Sequence, residues 1–180
     1  MKATYQIDPA HSAAHFVVRH MMITNVRGAF NKIQGTVVYD PTDLASSSID
    51  VSIDVASINT REDQRDTHLK SADFFDAEKF PKLTFKSNRI ERRGDGLKLT
   101  GELTIHGIAR EVVLDVDGPT AEQKDPWGNL RMGASATGKI RRSDFGLTWN
   151  AALETGGVLV GDEVKIELEV SLIKSQSAAA

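Results

Sequence analysis

The sequence predicts an all-β fold, an antiparallel eight-stranded β-barrel with a short helical insert. Three observations point there. Apolar residues recur with period two along most of the chain, which is the spacing of half-buried strands. Turn-forming residues separate the alternating runs. One stretch near residue 60 breaks the period and carries helix-start signals instead.

Taken in order, the first run puts Ser12, Ala14, Phe16, Val18 and His20 on one face, with His15 and Arg19 on the other. A second strand is expected over residues 28–40, closed by the Asp40-Pro41 turn. Residues 49–55 alternate without a fault. Asn59-Thr60-Arg61-Glu62 and Thr60-Arg61-Glu62-Asp63 are overlapping capping boxes, so a helix is expected over 61–70. Ser71-Ala72-Asp73-Phe74-Phe75 reads as the cap and first turn of a second helix, and Pro81 ends the interruption. Alternation then resumes at Leu83 and Phe85, at Leu97 and Leu99, and at Val112, Leu114 and Val116. Further strands are expected over 101–105 and 130–140, and 164–172 alternates throughout. The separators are Arg93-Gly94-Asp95-Gly96, His106-Gly107 and Asp125-Pro126-Trp127-Gly128.

The many strands need a partner for every edge, and closing the sheet supplies it. A barrel of about eight strands has an interior just wide enough for side chains or one small ligand. The aromatic content is only 6%, and Ala14, Gly28, Gly35, Ala134, Ala136 and Gly138 fall on the inward faces. Small inward residues leave volume for a ligand, unless they only fit the taper of a filled barrel.

The 180 residues suit one barrel domain over 1–174 with a flexible tail over 175–180. At this length about 70% of the unfolded surface can be buried, so no metal or disulfide staple is required. The net charge of −3 argues against a nucleic-acid partner. With no cysteine, thiol catalysis and disulfides are excluded. No apolar window reaches membrane-spanning length, so no integral membrane segment is expected. As written, the chain reads as cytoplasmic, or periplasmic if a leader has been removed.

Catalytic motifs are sparse. Asp144-Phe145-Gly146 matches the kinase magnesium triplet, but none of the companion motifs is present. There is no nucleophile elbow, no P-loop and no dinucleotide fingerprint. His11 and His15 share strand parity while His20 has the opposite one, so one strand cannot aim all three at a metal. No metal and no cofactor are expected. His20 reads as a satisfied core histidine and His106 as a turn residue. Asp66 and His68 are the one acid–base pair that supports an alternative reading, an enzyme of isomerase or hydrolase type acting on an apolar substrate in the same cavity.

The residues also carry a resemblance. Tyr5-Gln6-Ile7-Asp8-Pro9-Ala10-His11-Ser12 with Phe16 and His20, and Gly28-Ala29-Phe30 with Gly35, resemble the start of the YceI-like, polyisoprenoid-binding family. The central run from Ser57-Ile58-Asn59-Thr60 through Arg65-Asp66-Thr67-His68-Leu69-Lys70-Ser71-Ala72-Asp73-Phe74-Phe75 to Phe80-Pro81 is its most specific part. Gly101-Glu102-Leu103-Thr104-Ile105-His106-Gly107, Arg142-Ser143-Asp144-Phe145-Gly146 and Val160-Gly161-Asp162-Glu163-Val164 follow in family order. The resemblance spans about residues 4–173. It implies a lipocalin-like barrel that binds, stores or transports a long-chain lipid such as a polyisoprenoid or isoprenoid quinone. It also implies a possible homodimer.

Such a site needs apolar walls and an opening. Each buried CH₂-sized group of the tail contributes about 0.8 kcal/mol, offset by lost chain entropy. The expected walls are Phe16, Val18 and Phe30 early in the chain, Val37, Val51 and Ile53 next, then Phe74, Leu83 and Phe85. Leu99, Leu103, Met132, Phe145, Leu147 and Ile166 complete them. His20 joins this set from the same strand face as Phe16. Arg65, His68 and Arg142 are the candidates for an oxygen-rich head group. The competing reading of Arg65 is a local pair with Asp66 that fixes the helical insert.

Overall fold

Alternating side chains give each strand one apolar face, and the chain buries those faces by closing the sheet on itself. In the computed structural model, which describes residues 1–176, the first strands are β1 (Ala3–Ile7), β2 (Ala13–His20), β3 (Thr24–Phe30), β4 (Ile33–Tyr39), β5 (Ser48–Asp54) and β6 (Ile58–Asn59). Then come α1 (Asp63–Lys70), β7 (Lys82–Arg93), β8 (Gly96–Ile105), β9 (Ile108–Asp117), β10 (Gln123–Lys124), β11 (Leu130–Arg141) and β12 (Val160–Lys174). Of the expected tail, residues 177–180 lie outside the described residues.

The ring β12–β1–β4–β5–β7–β8–β9–β11 is antiparallel throughout and closes through the β11–β12 pairing. This is the eight-stranded, lipocalin-like barrel. β11 and β12 stay in register from Arg131 opposite Ile173 to Arg141 opposite Glu163. The other edge of β12 serves two strands. Near its end it pairs with β1, and from Val160 to Glu169 it pairs with β2. β2, β3 and β6 thereby continue the wall beyond the ring at one end, called the mouth here.

That division follows from Pro9, which has no N–H to give to a ladder. Asp8 caps a single 3₁₀ turn over Pro9–His11 by accepting from the Ala10 N–H at 3.0 Å. The expected strand 28–40 is likewise two strands. Asn31 and Lys32 leave the ladder, and their N–H groups donate to the Ser57 carbonyl and hydroxyl. The expected break before Gly101 does not occur, and β8 runs through it. The Phe85 ring fills the space above Gly101, only 2.3 Å from where a Cβ would stand.

The helix begins two residues later than expected. Arg61 sits at φ 68°, and Glu62 is the cap, accepting from Gln64 N–H and Arg65 N–H at 3.1 and 2.6 Å. Asn59 folds back on the Arg61 N–H instead of starting the helix. No second helix follows. Ser71 closes α1, donating from both N–H and hydroxyl to the His68 carbonyl, and the next residues form turns.

Two bulges tune the inward pattern. Between Ser87 and Arg89 one extra residue on β7 moves the inward positions from Leu83 and Phe85 to Ile90. On β12, residues between Val160 and Val164 bulge away from β2. The β2–β3 hairpin turns at Met21 and Met22, both left-handed at φ 50° and 61°. Side chains there cost roughly 1–2 kcal/mol per residue relative to right-handed backbone.

Candidate functional site

A cavity of about 280 Å³ occupies the barrel, lined almost wholly by apolar side chains. Every strand of the ring contributes inward residues to it. All the expected wall residues line it except Phe145 and His20. Phe145 is 1% exposed and packs in the core instead, on the 3₁₀ turn Arg142–Phe145. Gly146 ends that turn at φ 73°, a left-handed conformation that glycine adopts without a Cβ penalty.

The small inward residues divide into two kinds. Ala134 and Ala136 leave wall surface open to the cavity. Gly28 and Gly138 do not, because Phe16 and Leu114 lie within 2.3 and 2.6 Å of where their Cβ atoms would stand. Those glycines make room for neighbours rather than for ligand.

A second cavity of about 300 Å³ lies at the mouth, between α1, the ends of β2 and β3, and residues 149–160. Phe16, Val18, Leu69, Phe74 and Val160 line both cavities, so the two share a wall. Polar side chains reach only the rim of this outer cavity, where Arg19, His20, Gln64, Arg65 and His68 join a mostly apolar wall. An apolar box stands at the junction. The His68 ring meets Phe74 at 5.1 Å and Trp149 at 4.8 Å, both edge to face, and Phe74 meets Trp149 at 5.3 Å.

The three expected head-group residues separate. His68 and Arg65 face this vestibule; Arg142 does not. The Arg142 guanidinium is 7% exposed and donates to four backbone carbonyls: Leu147 at 2.7 Å, Gly161 at 2.8 Å, Trp149 at 2.9 Å and Val160 at 3.2 Å. Burial pushes its pKa below the usual arginine range. Its role is structural. It satisfies the carbonyls that the β12 bulge and the 147–149 segment take out of the ladder.

Arg65 does not pair with Asp66. Arg65 donates from Nε to the Thr60 hydroxyl and from Nη2 to the Thr60 carbonyl, each at 2.8 Å. The Asp66 carboxylate accepts from the Thr60 N–H at 2.8 Å and hydroxyl at 2.5 Å. Both therefore hold Thr60, which ties α1 to β6. Nη1 of Arg65 is left without a protein acceptor among the described residues.

Asp66 and His68 do not form the acid–base pair. Asp66 is buried on Thr60, while His68 Nε2 donates to Asp73 at 2.8 Å. His20 is half-buried on the vestibule wall rather than in the core, because β2 carries it past the closed ring. His106 is a turn residue, as expected, at φ 55°. Among the described residues no group of three or more His, Asp or Glu is placed to hold a metal ion.

Sequence reasoning missed Trp149 and Gln64. Trp149 sits where no period exists, and Gln64 on a helix whose apolar residues form no stripe. It also missed much of the wall, including Val164, Leu168, Val170 and Leu172. The unbroken alternation of residues 164–172 held that information.

A closed antiparallel barrel with an apolar interior cavity and a polar-rimmed mouth defines a lipocalin-like protein. The YceI-like domain family model matches residues 5–172, and the chain belongs to the YceI-like family. A UPF0312 protein of Staphylococcus aureus is 37% identical over 163 residues, 91% of this chain and 93% of its own. BcnA of Burkholderia cenocepacia has the same fold at TM-score 0.77 and 29% identity, covering 92% of this chain and 98% of its own. A polyisoprenoid binding domain from Saccharophagus degradans shares the fold at TM-score 0.69 and 16% identity, over 96% and 99% of the two chains. No described helix is long and apolar enough to cross a membrane.

Proposed function

We propose that the protein binds a long-chain lipid of the isoprenoid class, tail in the barrel and head group in the vestibule. The observation that carries this reading is the shared wall between an apolar cavity and an outer one that adds polar side chains at its rim. Together they match an amphiphile with one insoluble tail and one oxygen-bearing head, such as a prenyl phosphate or a quinone. Family membership and the polyisoprenoid-binding neighbour of the same fold support it. Arg65 and His68 are the head-group contacts. Arg65 has an unsatisfied donor there, and a guanidinium donates to phosphate or carbonyl oxygen in a fixed fork. Neither the tail nor the head needs catalytic geometry, and the separation of Asp66 from His68 favours carriage over turnover.

The test is solvent extraction of protein purified from its own host, followed by mass spectrometry. An isoprenoid-chain lipid at near one per protein is expected. A clean extract, with no uptake of decaprenol from cyclodextrin, overturns the proposal. Ala136→Trp fills part of the cavity while keeping the strand. It is expected to cut decaprenol loading by about tenfold or more, since several buried CH₂ groups are lost.

A further inference from the structure

The mouth carries an apolar tip that the binding site does not use. Met21, Met22 and Ile23 are 43%, 58% and 68% exposed at the turn of the β2–β3 hairpin. Val158, 42% exposed, belongs to the adjoining loop. The two segments are joined: the Met21 N–H donates to the Leu159 carbonyl at 2.7 Å, and the Met22 sulfur lies against Gly157. Exposed apolar residues scattered singly need no explanation, but a contiguous group does.

Two further facts say what covers it. The backbone at Met21 and Met22 is left-handed, where asparagine and glycine are the comfortable residues. Methionines there are strained and unburied, so neither turn chemistry nor the core accounts for them. The hairpin's own charge is one-sided, with Glu154 in the adjoining loop. Residues 12–30 contain Arg19, Arg27 and two histidines, and no Asp or Glu. The tip also adjoins the vestibule, since Arg19, His20 and Leu159 line that cavity.

We infer that the β2–β3 hairpin tip docks on an anionic lipid bilayer, dipping Met21, Met22 and Ile23 into the interface. Arg19 then lies near the lipid phosphates, with Arg27, which also reaches Glu167 at 4.0 Å, further back on the hairpin. Flexible thioethers suit an interface of irregular packing. Apolar insertion plus a few cations is the recognised way to hold a protein at a membrane surface. The inference rests on the lipid-binding reading for its purpose: docking here brings the vestibule to the place where an insoluble lipid resides. Trp127, 81% exposed, is a larger apolar group but stands alone on the β10–β11 turn, away from both cavities.

The test uses the full chain and co-sedimentation with two kinds of vesicle, phosphatidylcholine alone and phosphatidylcholine with phosphatidylglycerol. The tip variant is Met21→Asn, Met22→Gly and Ile23→Thr together. It installs a favourable turn, so its melting temperature should hold or rise. Binding to the mixed vesicles is expected, weaker binding to the neutral ones, and a loss of about tenfold or more in the variant. Trp127→Ala should bind like the parent. No vesicle binding by the parent, equal binding by the tip variant, or an equal loss in Trp127→Ala overturns the inference. So does a parent dimer that the tip variant turns into a monomer, which would make the tip a contact between copies. Decaprenol uptake from cyclodextrin is measured in parallel without vesicles. A failure there strikes the cavity reading, whereas intact uptake with no vesicle binding strikes the docking inference alone.

Discussion

The two ends of the barrel are held by different chemistry. At the end away from the mouth, charged side chains stitch strands together. Arg131 reaches Asp8 at 2.6 Å and Asp125 at 2.7 Å, and Asp8 also takes a hydrogen bond from His11 at 2.8 Å. Tyr5 and Lys174 both donate to Glu122. Segment 118–129 is thereby tied across that end, with Pro119 on the cavity wall. At the mouth, one guanidinium and an aromatic box do the equivalent work, and apolar residues face solvent. One end is sewn shut by groups that titrate. The other rests on a guanidinium bound to carbonyls and on packed rings, with the His68–Asp73 pair as its titrating element, beside the vestibule.

The sharpest way to break this contrast is at Arg142. Arg142→Ala takes its donor from four backbone carbonyls, of which only Val160 keeps another side-chain donor among the described residues, Asn150. A loss of about 3–5 kcal/mol is expected in denaturant unfolding, the scale for removing one partner of a buried charged network. Arg142→Lys should recover little of it, because an ammonium cannot match four carbonyls in a planar fork. If the alanine variant unfolds like the parent, the mouth is not built on this residue.

Packing gives the next effect. Phe145 and Leu103 were both expected on the cavity wall, and only Leu103 is there. Phe145→Ala is expected to cost about 3–5 kcal/mol, as for a filled core position. Leu103→Ala should cost less, about 1–2 kcal/mol, because one side of it already meets empty space. The order should reverse for decaprenol loading, which Leu103→Ala weakens and Phe145→Ala spares wherever the variant stays folded. Equal costs would mean that the cavity is filled in solution.

How much of this was legible follows from the range of each signal. Period two is a local property, so the strands and nearly all the named wall residues could be read. Leu83 and Phe85 needed only their own neighbours. A bulge is not local in that sense. The change of parity between Phe85 and Ile90 depends on which residue of β8 stands opposite. Arg142 shows the same limit. Its motif was visible, but its purpose lies in carbonyls up to nineteen positions away. The helix start failed for a subtler reason. Asn59 and Thr60 are the N-cap residues by type, yet the left-handed turn at Arg61 hands the cap to Glu62. The vestibule was half legible: Arg65 and His68 could be named from their segment, whereas Trp149 comes from a stretch with no period.

The smallest expected effects are those of pH, and the largest shifts among them belong to the sewn end. The Arg131 guanidinium holds the Asp125 carboxyl well below the ordinary range, helped by hydrogen bonds from Asn129 and the Trp127 N–H. Asp8 is lowered by Arg131 first and His11 second. A depressed carboxyl pKa stabilises the fold above the unfolded value, about 3.9, and that stability is lost as pH falls toward the folded value. Asp125→Asn should therefore melt below the parent at pH 7, and the two curves should converge as pH falls below about 4.

Tyr5 titrates the same end from the other side. Burial, and then the hydrogen bond to Glu122, push its hydroxyl up to about 12. The folded state keeps that proton after an unfolded tyrosine, with a pKa near 10, has released it. Its contribution is thus intact below about pH 10 and is lost as pH rises toward 12. Tyr5→Phe is expected to lower the melting temperature slightly at pH 7 and to flatten the alkaline fall. The mouth supplies the control. The hydrogen-bond acceptors of Arg142 are backbone carbonyls, which do not titrate, so Arg142→Lys should shift the melting temperature by a similar amount at pH 4 and 7. A pH-dependent gap in that variant would mean that the Arg142 network is coupled to a titrating group.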